Sequence, residues 1–208
     1  MNEELYAIVE ISTKEIKFMV FNFFKSSMNV LFSSTQSGKF CDQGIVIEPK
    51  MVGKIINSMI KKANQMLVIQ IKRVAINLPS NHLRIRQAQA VIELHKLNHQ
   101  INHDDINELI TNSKNLALND DEVICLTRPY KYVINNTRKT PYPPIGQIAR
   151  KVSVNSLIYT INSAIYDSHL QAIQSGRIES FSILLLPFAQ GWGCASQKEL
   201  DTGVIVID

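Results

Sequence analysis

The sequence predicts a mixed α/β fold in which a small strand–helix–strand–strand unit interrupts a larger sheet domain. Short runs rich in β-branched and aromatic residues recur along the chain, separated by polar segments, and are typical of strands. Between some of them, longer segments carry apolar residues at the i, i+3, i+4 spacing of amphipathic helices. The 208 residues suffice for one large domain or two small ones.

Composition excludes several classes of protein. With 45% hydrophobic residues, the chain is not intrinsically disordered. Apolar runs such as Ile183–Leu186, which Pro187 ends, are far short of the ~20 residues that span a membrane. Twenty-two Lys and Arg against 18 Asp and Glu is a small surplus, and no basic and aromatic motif predicts nucleic-acid binding. The three cysteines have no metal or redox spacing, which fits a reducing compartment.

The first part of the chain predicts three strands, a helix and a fourth strand. A polar connection over residues 10–15 suits a hairpin between the first two strands. The predicted helix has the clearest apolar periodicity in the chain. The predicted elements are strands over Leu5–Val9, Ile16–Phe24 and about Val30–Ser34, a helix over Met51–Leu67 and a buried strand over Ile71–Leu78.

Residues 83–161 predict the inserted unit. It begins with a long strand over Leu83–Leu94, followed by a helix over Asp104–Leu118. Asn102 is the predicted N-cap of that helix, with Asp105 at its third position. Two further strands follow, over Glu122–Asn135 and Ala149–Ile161, joined by a loop rich in proline.

After the insert we predict a helix over Asn162–Ser175, which Gly176 ends. A buried strand over Phe181–Leu186, a short helix or turn over Pro187–Ser196 and a strand over Gly203–Asp208 follow. Because the sequence stops inside that last predicted strand, we expect either the front portion of a longer protein or an unusually short one.

These motifs together resemble a known family. Tyr6–Lys17 resembles an opening strand and phosphate hairpin of pattern Asp-Ile-Gly-Thr-Ser-Lys-Ile-Lys. Gly44–Glu48 resembles the lead-in to a first helix, and Val74–Arg84 the passage into an insert. Ile101–Leu118, Leu185–Ala189 and Glu199–Asp208 resemble later motifs in the same order. The family is the bacterial cell-division family FtsA, of the actin-like ATPase superfamily, with PilM a more distant likeness.

The resemblance implies an actin-like (ribonuclease H-like) fold. Residues 1–82 and 162–198 then form subdomain IA, and 83–161 form the inserted subdomain IC. Residues 199–208 form the first strand of subdomain IIA, and the rest of the second domain is absent.

The resemblance also implies a nucleotide site for ATP and Mg²⁺ at the first hairpin. The residues at matching positions are Glu10, Ser12, Thr13, Lys14 and, opening a second hairpin, Asp208. Glu10 stands where the family has Asp, and Ser12 where it has Gly, so a longer acid and a Cβ approach the phosphates. We therefore expect this chain to bind no ATP and to be non-catalytic. From the residues alone, an exposed hairpin tip at Thr13 and Lys14 is the favoured interpretation, and the resemblance makes the two interpretations about equal.

For function, the resemblance implies a structural role in cell division at the cytoplasmic face of the membrane. Members of the FtsA family self-assemble into actin-like filaments and link the FtsZ ring to the membrane and to later division proteins. Their insert serves subunit contacts and recruitment, and their membrane contact is a C-terminal helix absent here. A PilM-like adaptor for pilus or secretion assembly is the alternative. A sugar-kinase-like phosphotransferase is disfavoured by Glu10 and Ser12.

Other chemistry is not predicted. His95, His99 and His103 recur every four residues beside Asp104, a spacing that can bind Zn²⁺ on a helix. The residues between them form no matching apolar face, so we predict a solvated loop and no metal site. The sequence contains no nucleophile motif of the Gly-x-Ser-x-Gly type.

Overall fold

A computed structural model describes residues 4–25, 27–80, 82–96, 98–115 and 118–206. The chain divides into two compact units. Unit 1 comprises Met1–Asn81 and Ala164–Asp208, and unit 2 comprises His82–Ser163. Among the described residues, no helix is both long and apolar enough to cross a bilayer.

In the described residues the chain forms eleven strands and five α-helices. The strands are β1 (Tyr6–Ile11), β2 (Glu15–Phe24), β3 (Ser27–Ser37), β4 (Cys41–Asp42), β5 (Ile45–Val46), β6 (Arg73–Leu78), β7 (Arg84–Glu93), β8 (Glu122–Ile134), β9 (Arg138–Thr140), β10 (Lys151–Asn162) and β11 (Ser180–Leu185). The helices are α1 (Pro49–Leu67), α2 (His103–Ser113), α3 (Ser163–Ser175), α4 (Leu186–Cys194) and α5 (Gln197–Thr202).

Unit 1 is built on a five-stranded sheet in the order β11-β6-β1-β2-β3. The first three strands pair antiparallel, whereas β6 is parallel to both β1 and β11. Alternate residues of β1 and β2 turn to one face, where Val9, Phe18 and Val20 are fully buried. The short pair β4 and β5 forms a separate two-stranded ribbon that the sequence did not predict.

The amphipathic helix predicted over Met51–Leu67 is confirmed as α1, which begins two residues earlier at Pro49. Proline suits the first turn because its missing N–H would have no helical partner there. The apolar face of α1, including Val52 and Ile56, joins the buried residues of the sheet and of α3 in one core.

Helices α1 and α3 approach each other closely at Gly53. A Cβ built on Gly53 would lie 2.5 Å from the carbonyl oxygen of Ala172 and 2.7 Å from the backbone nitrogen of Gly176. Both of these are backbone atoms, so they cannot move aside as a flexible side chain can. Gly53 therefore sets the distance between the two helices.

His169 lies on α3 and is almost completely buried. Its Nδ1 lies 2.8 Å from the carbonyl oxygen of Ile165, which can only accept, so Nδ1 carries the proton. Its Nε2 has no hydrogen-bond partner in the described part of the chain. Burial lowers the pKa of His169, although the hydrogen bond to Ile165 opposes this. The imidazole is therefore held in its neutral form.

Unit 2 is a four-stranded antiparallel sheet in the order β7-β10-β8-β9, with α2 against one face. The capping box predicted at Asn102 and Asp105 is confirmed. The Asn102 side chain accepts hydrogen bonds from the backbone N–H groups of Asp104 and Asp105, and the Asp105 carboxylate accepts one from the N–H of Asn102.

Two predicted elements differ from the structure: the last predicted strand and the end of the helix in unit 2. The strand predicted over Gly203–Asp208 is absent over residues 203–206, which pair with no strand among the described residues. Instead a helix, α5, precedes them, capped where Ser196 and Glu199 bond each other's backbone N–H groups. The helix predicted over Asp104–Leu118 ends at Ser113, because the N–H groups of Lys114 and Asn115 bond carbonyls only two or three residues back.

Substituting Gly53 with alanine is expected to destabilise the protein. The new methyl group must push α1 and α3 apart, and overpacking of this kind costs about 1–3 kcal/mol. Urea denaturation followed by circular dichroism measures the change. Gly191 in α4 is the matched control, because a Cβ there meets nothing within 4 Å. Gly191→Ala should leave stability unchanged or raise it by up to about 1 kcal/mol. Equal effects of the two substitutions would contradict the close crossing.

Acidification is expected to lower the stability of unit 1 through His169. Because burial lowers its pKa in the folded state, the unfolded state binds more protons once the pH falls below the ordinary value of about 6.5. The histidine thus favours folding above that pH, and this contribution is lost on acidification. Denaturant titrations between pH 7.5 and 5.5 should show a flatter pH dependence for His169→Leu than for the wild type. A steeper dependence in the variant would refute the assignment.

Candidate functional site

The hairpin between β1 and β2 is closed by the hydroxyl group of Ser12. The Ser12 Oγ donates a hydrogen bond to the carbonyl oxygen of Glu15 at 3.0 Å and accepts one from the Glu15 N–H at 3.2 Å. The Ser12 N–H donates to the same carbonyl at 2.9 Å. The Ser12 side chain therefore accepts the hydrogen bond from the Glu15 N–H that the Ser12 backbone carbonyl would otherwise accept.

The segment that follows β3 forms hydrogen bonds to the tip of this hairpin. The N–H of Gly38 donates to the carbonyl oxygen of Lys14 at 2.9 Å, and the N–H of Phe40 donates to that of Thr13 at 3.0 Å. Phe40 is buried, and its ring lies where a Cβ on Gly38 would be. The carbonyl oxygens of the tip are thus engaged on this side, which gives the hairpin a defined conformation.

A pocket lies beside the hairpin, at the carboxyl ends of the parallel strands β1 and β6. In α/β sheets this edge is where ligands commonly bind, because the chain leaves the strands there and opens a crevice. The pocket has a volume of about 180 Å³. We call it the hairpin pocket; it is lined by Glu10, Ile11, Ser12, Thr13, Cys41, Gly44, Asn77, Leu78, Pro79 and Leu186.

Three of the five residues predicted for the nucleotide site line this pocket: Glu10, Ser12 and Thr13. Lys14 is not among the lining residues; it is exposed at the hairpin tip. Asp208 lies outside the described residues. The predicted role of these residues in binding a nucleotide therefore remains a prediction.

Sequence reasoning missed Asn77, Cys41 and Gly44. The Asn77 Oδ1 is buried and has no hydrogen-bond partner in the described part of the chain. Burial raises the pKa of the Cys41 thiol to about 11, so this cysteine is an unreactive thiol at neutral pH. Gly44 has a positive φ of 85°, which favours glycine. An asparagine at the end of a predicted buried strand was the available signal for Asn77.

The hairpin pocket does not fit a nucleotide triphosphate. Pockets that hold ligands of this size measure about 300–1,000 Å³, larger than the 180 Å³ found here. Among the described residues no Lys or Arg lines the pocket, whereas Glu10 contributes a carboxylate to its lining. Across the strands Lys17 stands opposite Glu10, and its ammonium pairs with Glu15 at 2.7 Å. The lining residues could satisfy a small polar group but not a polyphosphate.

The histidines of unit 2 form no metal site among the described residues. The Nε2 of His99 lies 2.7 Å from the Oδ2 of Asp105, while His95 and His103 are exposed. Burial alone would raise the pKa of Asp105, but its hydrogen bonds from Asn102 and His99 lower it overall. His99 therefore reinforces the start of α2 through the capping carboxylate.

A second charged cluster joins β7 to β8. The Glu122 carboxylate accepts hydrogen bonds from Arg84 at 2.7 Å and from Arg86 at 2.5 Å. Burial would raise the pKa of Glu122, but these hydrogen bonds and one from the Asn119 N–H lower it overall. The carboxylate stays ionised and links two strands that are not adjacent in the sheet.

Comparison with known proteins gives similarities for both units. Residues 80–160 match the family described as "SHS2 domain inserted in FTSA". Over nearly its whole length the chain is similar to FtsA cell division proteins. It is 21% identical over 204 residues to that of Enterococcus hirae and 20% identical over 207 residues to that of Bacillus subtilis. These alignments cover 98% and 100% of this chain but 46% and 47% of the relatives, so the chain spans about half their length.

Among solved structures, the chain is similar to the PilM-PilN type IV pilus biogenesis complex. The TM-score is 0.57 at 14% identity, over 91% of this chain and 49% of that chain. At this identity the likeness shows the fold alone. The predicted fold class is confirmed as a mixed α/β actin-like fold with an inserted SHS2 unit.

Replacing Ser12 with alanine is expected to destabilise unit 1 by about 0.5–1.5 kcal/mol, because it leaves the Glu15 N–H without its acceptor. Chemical denaturation of the purified chain measures the change. Lys14→Ala is the control: its side chain is exposed, and such substitutions usually stay within about 0.5 kcal/mol. If Ser12→Ala unfolds at the same denaturant concentration as the wild type, the hydroxyl does not close the turn.

Proposed function

We propose that this FtsA-like chain is a non-catalytic assembly component of the cell-division apparatus, and that unit 2 makes its contacts with other proteins. One observation carries the proposal: unit 2 matches the SHS2 domain inserted in FtsA, and it occupies its own stretch of chain between β6 and α3. Similarity to FtsA on both sides of the insert supports the same assignment.

The residues that line the hairpin pocket are the reason for proposing a non-catalytic role. In the described part of the chain its lining contains the Glu10 carboxylate and small polar groups but no cation, and Cys41 is protonated at neutral pH. Transfer of a phosphoryl group requires positive charge aimed at the phosphates. The lining supplies none, which supports an assembly role over a sugar-kinase-like one.

We extend the proposal to partners by analogy with FtsA. The chain would associate with further copies of itself as actin-like subunits do. It would act in the cytoplasm, at the inner face of the membrane at the division site, together with FtsZ and later division proteins. ATP and Mg²⁺ would belong to the full-length FtsA family and not to this chain.

A pairwise association assay tests this function. The purified chain is immobilised and exposed in turn to itself, to FtsZ and to the cytoplasmic segment of a PilN-type pilus protein, with binding followed by biolayer interferometry. We expect association with itself, whereas contact with FtsZ is expected of the full-length protein. Binding to the PilN-type segment alone would replace the proposal with a pilus-assembly adaptor. A full-length homologue with the same hairpin that phosphorylates a sugar would replace it with an enzyme.

A calorimetric titration tests the pocket separately. We expect Mg-ATP to give no binding in the micromolar range, because the triphosphate would meet Glu10 and no compensating cation in the pocket. Inorganic phosphate serves as the comparison ligand, since it is small enough for a pocket of this volume. Micromolar affinity for Mg-ATP would show that the chain holds the nucleotide after all.

A further inference from the structure

Unit 2 has one sheet face that α2 does not cover. Helix α2 packs against alternate residues of the sheet, among them Ile92 and Val152, so the residues one position along point the other way. We call this second surface the open face. Val91 on β7 is 44% exposed there, and Val133 on β8 is half-buried. They flank the buried Ser153 of the central strand β10, and we call Val91, Ser153 and Val133 the floor of this face.

Three lysines lie on the open face and surround this floor. Lys139 stands opposite Val133, Lys151 stands opposite Glu93, and Lys131 stands opposite Asn155. Strands are about 4.8 Å apart and same-side residues about 6.8 Å apart, so Lys139 starts about 8 Å from Lys131 and about 12 Å from Lys151, while Lys131 and Lys151 start about 14 Å apart. Within the described residues none of the three lysines forms an ion pair. Their charge is therefore uncompensated apart from the nearby Glu93.

The contrast with the other side of the sheet is informative. There, Arg84 and Arg86 are both bound by the carboxylate of Glu122. The unit thus pairs two arginines on the α2 side with one carboxylate, whereas on the open face Lys151 stands opposite Glu93 without an ion pair in the described residues. Three lysines against one glutamate give this face a net positive charge, which attracts an anionic group.

Asn155 supplies a second, independent observation in the centre of the open face. Its Oδ1 is buried and has no hydrogen-bond partner in the described part of the chain. A buried acceptor left unpaired is costly, and rotation of the Asn155 side chain lets a backbone N–H of an incoming segment satisfy it. Extended peptides carry such donors at regular intervals, whereas the surface of a lipid bilayer carries few.

We propose that the open face of unit 2 binds an extended acidic segment of a partner protein. Carboxylates of that segment contact Lys131, Lys139 and Lys151, and its apolar side chains lie against Val91 and Val133. The inference names the partner chemistry of the contact unit and so rests on the proposed function. A membrane surface fits less well because the apolar residues form the floor and the lysines the rim, whereas insertion into lipid requires apolar groups that project beyond the charges.

The test uses the full purified chain and a fluorescein-labelled peptide of three Glu-Ser-Val-Ser repeats, in which Glu and Val fall on one side of an extended strand. Fluorescence anisotropy at low salt should detect binding, which weakens as salt screens the lysines. A matched peptide of Lys-Ser-Val-Ser repeats should bind at least tenfold more weakly. Equal binding of the two peptides would overturn the proposal.

Lysine substitutions test whether the open face is the surface that binds the peptide. The triple substitution K131E, K139E and K151E should weaken binding of the acidic peptide at least tenfold. The control K54E, K61E and K62E changes the net charge equally but on exposed positions of α1, and should weaken it less than twofold. Equal losses would mean that the chain's overall charge, and not the open face, attracts the peptide. The milder set K131Q, K139Q and K151Q, checked by circular dichroism for folding, should give an intermediate loss.

Vesicles containing one-third phosphatidylglycerol complete the test. Binding of vesicles that depends on the three lysines, without binding of the peptide, would assign the open face to lipid and refute the peptide proposal. Failure of the division proteins to associate with the chain, with peptide binding intact, would overturn the proposed function but leave the docking surface standing. The two inferences therefore fail separately.

Discussion

Strand β1 lies between two partners of opposite direction, and the arrangement of unit 1 depends on that position. Its antiparallel pairing with β2 brings Glu10 opposite Lys17 and creates the hairpin tip. Its parallel pairing with β6 aligns Val9 with Ile76 and so brings the ends of β1 and β6 to one edge of the sheet. The parallel step requires a long crossover, which α1 supplies. The hairpin pocket exists because these two pairings meet in one strand.

The hairpin pocket shows how an actin-like edge can keep its geometry while its chemistry changes. The turn at residues 12–15 is well formed, since the hydroxyl of Ser12 and the backbone of residues 38–40 hold it. Yet the groups that face the pocket are a carboxylate, small polar side chains and apolar residues. The described lining therefore offers a phosphate a carboxylate and no cation, and the docking surface that we propose lies on unit 2.

Sequence reasoning succeeded where a pattern is local. The helical periodicity of α1, the alternation of buried residues in β2 and the Asn102–Asp105 cap each depend on residues close together in the sequence. The structure contains all three. It failed where the outcome depends on a distant partner. Residues 203–206 have the β-branched character of a strand, but a strand forms only when another lies beside it, and the described residues offer none. Strand β9 was missed for the converse reason, because three polar residues become a strand by pairing with β8.

The sequence by itself determined the class of fold, the place of the insert and the departures at Glu10 and Ser12, because these follow from periodicity and from the order of motifs. Only the tertiary structure decided which side chains meet. It joined Asn77 to the hairpin, set α1 against α3 at Gly53, and gathered Lys131, Lys139 and Lys151 on one face of unit 2. Contacts between residues far apart in the chain depend on strand register and helix crossing, and no local pattern encodes those distances.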